Sequence, residues 1–564
     1  MRKVYTETLV LHEQSAGGMS AEGDGNKTEE EKEEEKEKMR ELQEKTTKEL
    51  EDDPRLQLDK TWTKYFMFQP LWRIRNYFGE KVAMYFAWSG HLIQSLFLPM
   101  VAGFAIFIYG LVKRIEFCIF YFSLLDTIRQ SFDNDVTPFF AMAICIWGTL
   151  FLEFWKRQQN RLSYQWDVDE FEMNEPDRPE FYGTEQKENP VDPDGEKILN
   201  YPMRYRICKL AVSGLTLLFM VCLVLCSVVA VIVYRIFTSV DFCPTAPSEV
   251  CLMVTTIVSS LLNAVSILIL SKLYDWLARK LTDWENHRTQ TKYDDSLIIK
   301  LFAFQFVNNY TSCFYIAFFR GRFDTGGIFD LGPKYTDKCE GTCMSQLSFQ
   351  VLTLMLTKPL PKLFSDVVLP FLKRKWRNRP DCMRCNFGCS GEEEDDLMKK
   401  AQEDPRNLTF LERELMKEKL GDFTLGEYTE KVIMYGFLML FAASFPLAPL
   451  IAIAVTSVDI RIDANRLLWW FRRPVAFIAQ DIGTWQIILQ LINFIGVVSN
   501  AFLIAFTSNW GSKYNIKDQL WIVIGFEHLV LVLKFVVAYL IPDIPADVAL
   551  ARRKVGQLYV MPQR

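Results

Sequence analysis

The chain has 564 residues, half of them hydrophobic and 14% aromatic, with a formal net charge of −5. Several apolar runs reach the roughly 20 residues that cross a bilayer, which excludes a soluble enzyme and a secreted disulfide scaffold. Without overall basic character, nucleic acid is not an expected partner.

The first 60 residues read as a solvated, cytosolic tail. Glu29 to Lys38 is ten charged residues in a row, and no continuous apolar core of a signal peptide precedes them. Ten membrane-crossing segments follow, near 91–112, 138–155, 208–235, 252–276, 299–318, 343–370, 428–444, 447–468, 484–507 and 519–541. All are expected to be helices, because lipid offers no partner to an open backbone edge. The fold class is therefore all-α, a polytopic membrane protein. Its parts are the tail 1–60, a transmembrane domain 61–550 and a cytosolic tail 551–564. The sixth span is drawn as one helix, and a tight turn at Phe445-Pro446 joins the seventh to the eighth.

Lys and Arg mark the cytosolic ends of spans. Lys156, Arg157 and Arg161 follow the second span, Lys373 to Arg379 the sixth, Arg472 and Arg473 the eighth, and Arg552 to Lys554 the tenth. They share one side, so both termini are expected in the cytosol. The loop 319–342 carries Arg320, Arg322, Lys334 and Lys338 against this rule. Cys243 and Cys251 flank one loop on the opposite side, and Cys339 and Cys343 sit in another; both pairs suit disulfides. Cys382, Cys385 and Cys389 lack a nearby fourth ligand, so acylated or free thiols are expected there before zinc.

Ionisable groups inside spans point to function. Glu427 and Glu430, three apart, share a face of the seventh helix, and Asp459 and Asp463, four apart, share a face of the eighth. Asp366 lies late in the sixth span. The short connection between the seventh and eighth helices sets both acid pairs at similar depth. Crowded carboxylates must protonate or bind cations, and oxygen ligands at flexible spacing suit Ca²⁺. No Cys or His lies near them, which argues against zinc or copper. Singly, the acids have a plainer reading: Glu427 and Glu430 near a helix N-terminus, Asp459 paired with Arg461 or a neighbour. Of the basic residues in spans, Lys300 reads as snorkelling to an interface. Lys272 and Lys358 either do the same or line a water-filled path for anions or headgroups.

The stretches NYFGEKVAMYFAW (76–88), FLEFWKRQQNRLSYQWDV (151–168), LARKLTDWENHRTQTKYDDSL (277–297), FQFVNNYTSCFYIAFFRGRF (304–323), FPLAPLIA (445–452), DIRIDANRL (459–467) and IPDIPADV (541–548) resemble the anoctamins, Ca²⁺-activated chloride channels and phospholipid scramblases. The resemblance implies a ten-helix homodimer, a permeation path in each subunit formed by helices three to seven, and two Ca²⁺ ions between helices six, seven and eight. It sets Glu427, Glu430, Asp459, Asp463 and Asp366 on the family's ligand positions. Glu153 and Asp543 fall on a weaker Ca²⁺ site of some members. Lys362 stands where many members have Asn, one turn before Asp366, and Thr357 where many have Gly. Members usually carry a large folded cytosolic domain before the first span, where this sequence has its charged tail.

The implied activity is passive, Ca²⁺-gated movement of membrane lipids and of chloride and other small ions, without bond making, so not that of an enzyme. Gln305 is neutral where dedicated chloride channels of the family carry Lys, which favours a scramblase with loosely selective conductance. Gln305, Lys272, Lys358 and Lys362 are the expected path residues. A chloride channel without scrambling and a transport-inactive tether are the alternatives. The expected location is a multi-pass position in the plasma membrane, or an intracellular one.

Overall fold

The structure, a computed structural model, describes residues 53–64, 67–117, 131–169, 171–187, 198–242, 257–321, 337, 339, 343–364, 368–369, 372, 410–415 and 417–560. The helices, in chain order, are α1 (Pro54–Trp62), α2 (Leu71–Phe78), α3 (Glu80–Phe117), α4 (Thr137–Trp166), α5 (Met203–Phe237), α6 (Ser259–Glu285) and α7 (Gln290–Phe318). They continue as α8 (Cys343–Thr357), α9 (Leu360–Leu363), α10 (Phe410–Leu415), α11 (Phe423–Leu440), α12 (Ala448–Asn465), α13 (Trp485–Phe502), α14 (Ile516–Leu540) and α15 (Ala546–Val560). One antiparallel pair of three-residue strands, Glu185–Lys187 with Ile198–Asn200, is the only sheet among the described residues, so the all-α expectation stands.

Among the described residues, six helical stretches are long and apolar enough to cross a membrane: Glu80–Ile115, Thr137–Trp166, Met203–Val240, Ser259–Glu285, Trp485–Thr507 and Ile516–Leu540. The other four expected spans fall on α7, α8 with α9, α11 and α12. Several helices overrun the apolar runs, because helical hydrogen bonding continues past the point where hydropathy ends. The sixth expected span differs in kind. Its helix stops at Thr357, and among the described residues a further short helix runs over Leu360–Leu363. Pro359 and Pro361 each lack the amide proton that a helical ladder needs, and each restricts the residue before it.

The chain divides into two compact units. The first comprises Met1–His91, Leu363–Gly426 and Thr456–Ala479, and the second Leu92–Lys362, Glu427–Val455 and Gln480–Arg564. Helices α3, α11 and α12 each contribute residues to both.

In the first unit, aromatic rings and arginines hold short helices together. Trp62 packs edge-on against Phe86 at 4.7 Å, and Phe423 meets Tyr85 at 5.5 Å. Arg55 lies over the Trp469 ring at 4.0 Å and donates from Nε to the Leu468 carbonyl at 3.0 Å. Arg461 donates to the carbonyls of Trp62 and Met67. It is thus engaged with backbone within the first unit.

In the second unit, α5, α6 and α7 pack on one another, α8 packs on α7, and α4, α13 and α14 form another group. Apolar burial cannot drive association in lipid, so close approach and interhelical hydrogen bonds carry it. Asn500 donates to the Met439 carbonyl at 2.7 Å and accepts from the Ala443 amide at 2.9 Å. Asn493 donates to the Gly148 carbonyl at 2.9 Å and accepts from the Tyr435 hydroxyl. Ser348 donates to the Ser444 carbonyl at 2.6 Å. Lys534, inside α14, donates to the Asn493 carbonyl at 3.0 Å. In contrast, α14 turns most of its surface outward, with Trp521, Phe535 and Tyr539 exposed, as suits a face against lipid.

At Gly103 of α3 the backbone comes so close to the turn before α12 that a Cβ would stand 2.0 Å from the Pro446 carbonyl oxygen. That neighbour is backbone and cannot rotate away. Gly103→Ala is therefore expected to cost about 1–3 kcal/mol, the range for overpacking, and to lower the melting temperature of the purified protein in detergent. Gly525→Ala, where a Cβ would meet nothing within 4 Å, should leave melting unchanged or raise it. Equal melting of the two variants would count against the close contact.

Candidate metal centre

Helix α11 carries Glu427 and Glu430 within its first two turns. Glu427 is buried, and Glu430 keeps 46% of its side chain exposed. Burying a carboxylate in an apolar setting requires a partner of opposite charge, and lysines supply it. The Lys362 ammonium, on α9, bonds Glu427 Oε2 and lies 3.8 Å from Glu430 Oε2. Lys431, four residues on along α11, lies 3.3 Å from the same Glu427 oxygen. Lys358 interacts electrostatically with Glu430. Three ammonium groups thus act on two carboxylates.

On α12, Asp459 is half-buried and Asp463 fully buried. Asp463 Oδ2 accepts from the Tyr85 hydroxyl at 2.8 Å, and Oδ1 from Arg466 at 3.1 Å. Glu427, Glu430 and Asp459 make up an acidic group that could hold a metal ion. Its donors are all carboxylate oxygens, the chemistry of hard cations such as Ca²⁺ rather than of zinc or copper. The all-oxygen donor set fits the ion that the resemblance implies, and Lys362 already pairs with two of its acids. Asp366 lies outside the described residues, as do Cys243, Cys251, Cys382, Cys385 and Cys389 and residues 1–52 of the charged tail.

Glu153 and Asp543 are brought together through a base. Lys156 Nζ stands 2.9 Å from both oxygens of Glu153 and 3.4 Å from Asp543. Gln305, half-buried on α7, accepts from Ser271 at 3.2 Å and Asn309 at 2.9 Å. Lys272 is exposed, apart from that polar contact. Lys300 corrects the expectation of snorkelling. It is buried, with its ammonium 2.6 Å from Glu285, which also meets Ser213 at 2.5 Å and His287 at 2.8 Å. The Cys339–Cys343 disulfide is formed.

Sequence reasoning missed the partners Lys431, Tyr85 and Arg466 of these acids. Lys431 and Arg466 were findable, being four residues after Glu427 and three after Asp463. Tyr85 was not, since 378 residues separate it from Asp463.

A family model described as "Anoctamin: Calcium-activated chloride channel" matches residues 74–555. Among curated proteins, Anoctamin-5 of Mus musculus is 31% identical over 89% of this chain and 67% of its own length. Anoctamin-7 of Mus musculus is 35% identical over 80% of this chain and 54% of its own. Anoctamin-4 of Bos taurus is 32% identical over 80% and 51% respectively. The chain thus spans about half to two thirds of the length of these relatives.

Tyr85→Phe keeps the ring and removes the hydroxyl that donates to buried Asp463. Losing a hydrogen bond to a buried charge costs about 1–3 kcal/mol, so the variant should melt below the parent. Identical melting would mean that the hydroxyl does not support Asp463.

Proposed function

The chain belongs to the anoctamin family, whose members are channels and scramblases rather than enzymes, and we propose that it moves phospholipids passively across a membrane under Ca²⁺ control, with an accompanying ion conductance that includes chloride. The observation that carries the reading is the all-oxygen acidic group of Glu427, Glu430 and Asp459. Asp463 and Asp366 complete the proposed ligand set, and Glu153 with Asp543 forms a second, weaker site. Bound Ca²⁺ supplies positive charge that opposes the repulsion among these carboxylates. The chain's own part is to hold two acids on α11 at one face and two on α12 at another. A cation that binds the open arrangement better than the closed one shifts the population toward opening.

The proposed path runs along α5 to α9 and α11, with Gln305, Lys358 and Lys362 facing it. Lys272, exposed on α6, is assigned to the headgroup-facing rim. Gln305 is neutral and tied to Ser271 and Asn309, so it lends the path no fixed positive charge, which supports lipid passage with loose ion selection. A chloride channel without scrambling is the second reading, favoured by the family description. We further assign the protein to a homodimer in the plasma membrane, with both termini cytosolic.

The decisive assay reconstitutes the purified protein in vesicles and follows Ca²⁺-dependent exposure of a labelled lipid together with ion flux. Lipid exposure and flux together support the scramblase; flux alone supports the channel. Glu430→Gln and Asp463→Asn should each raise the Ca²⁺ needed for half-activation by about tenfold or more, because charge count tunes Ca²⁺ affinity. Dose–response curves that overlay the parent for both would sink the site.

Gln305→Lys adds a cation to the proposed path and should favour anions. Reversal potentials under a salt gradient should move toward the chloride equilibrium potential. An unmoved potential would take Gln305 off the path.

A further inference from the structure

The break in the sixth expected span has a chemical consequence. Past Pro359 the chain makes the single turn α9, and this turn delivers Lys362 to α11, 65 residues away in sequence. The Lys362 side chain is 9% exposed, so its ammonium does not reach for bulk water. It bonds Glu427 and lies 3.8 Å from Glu430. These are two of the three acids in the group that could hold a metal ion. Lys431, by contrast, belongs to α11 itself and meets Glu427 by helical spacing, so it moves with the acids.

We propose that Lys362 is a tethered counter-ion that competes with Ca²⁺ for Glu427 and Glu430, so that the divalent ion binds by displacing an ammonium. The inference rests on the reading of the acidic group as a Ca²⁺ site and concerns its regulation. Without Ca²⁺, the lysine neutralises part of the charge that would otherwise drive the acids apart, and the site stays assembled. Ca²⁺ entering between the acids meets a like charge about one contact distance away, where repulsion is strong even at the effective dielectric of a protein surface. The ammonium must swing out, carrying the end of α9 with it. The chain therefore needs more Ca²⁺ than its carboxylates alone would require, and Ca²⁺ binding is coupled to movement of the segment after Pro359.

The test uses the full chain purified in detergent and reads binding rather than transport. Melting temperature is followed against free Ca²⁺ for the parent, Lys362→Met, Lys362→Arg and Glu427→Gln. Lys362→Met keeps the length of the stem and removes the charge. It should melt lower than the parent in chelator, and its Ca²⁺ midpoint should fall by about tenfold. Lys362→Arg, which keeps the charge, should hold the midpoint near the parent's. A parent that responds to no Ca²⁺ while Lys362→Met responds would support the same conclusion.

Two outcomes overturn it. If Lys362→Met melts lower at every Ca²⁺ concentration with an unchanged midpoint, while Glu427→Gln raises the midpoint, the lysine is only a structural tie and the Ca²⁺ site survives. If neither the parent nor Lys362→Met responds to Ca²⁺, the site and the competition fall together.

Discussion

Several carboxylates removed from water in this protein are met by a base, and much of the polar architecture follows from that pairing. Glu427 lies under Lys362 and Lys431, Asp463 beside Arg466, Glu285 beside Lys300 and Glu153 beside Lys156. Asp337 receives Arg235 and Arg320. Removing one partner of such a pair strands a buried charge, and the cost of several kcal/mol exceeds what the intact pair contributes. These pairs therefore specify arrangement more than they add stability. The proposed metal binding by the acidic group would be a special case of the same pairing, with a diffusible cation in the place of a fixed one.

The apolar helices obey a different constraint. Lipid satisfies a leucine as well as another leucine does, so sequence-distant helices are held by what lipid cannot provide. Asn493 and Asn500 on α13 are the main examples, each bonding to backbone carbonyls of neighbouring helices. Gly103 lets α3 reach the Pro446 carbonyl. These residues carry little hydropathy signal, and the span 484–507 reads from sequence as one predominantly apolar run. Its two asparagines are what fix its place.

The helices were legible wherever hydropathy and length agree: α4 and α5 cover the expected runs at 138–155 and 208–235, and α13 and α14 overlap those at 484–507 and 519–541. The acid pairs were legible too, because spacings of three and four residues put two side chains on one helix face. What the sequence hid was of two kinds. The sixth span looked continuous because its residues are apolar; the interruption is set by the backbone limits of Pro359 and Pro361, which hydropathy does not weigh. The partners of the acids were hidden when they came from far along the chain, as Tyr85 does for Asp463. Lys300 illustrates the opposite error. A lysine in a span suggested snorkelling to an interface, yet Glu285, Thr282 and Ser296 give it a full set of acceptors inside the protein.

The proline break and the lysine charge are best understood as one device. Had the helix of α8 continued without interruption, residue 362 would lie at a height and angle fixed by its ladder, and its side chain could yield only by rotamer changes. The interruption after Thr357 frees the following turn from that ladder, so the segment's position depends on what its own side chains bind. Lys362 binds the acids of α11. On the proposed competition, the affinity of such a group for a divalent ion would be governed as much by the cation it must release as by the number of oxygens it offers. A carboxylate cluster with the same ligands on an unbroken helix, and no ammonium among them, would bind Ca²⁺ more tightly yet transmit less of that binding to its neighbours.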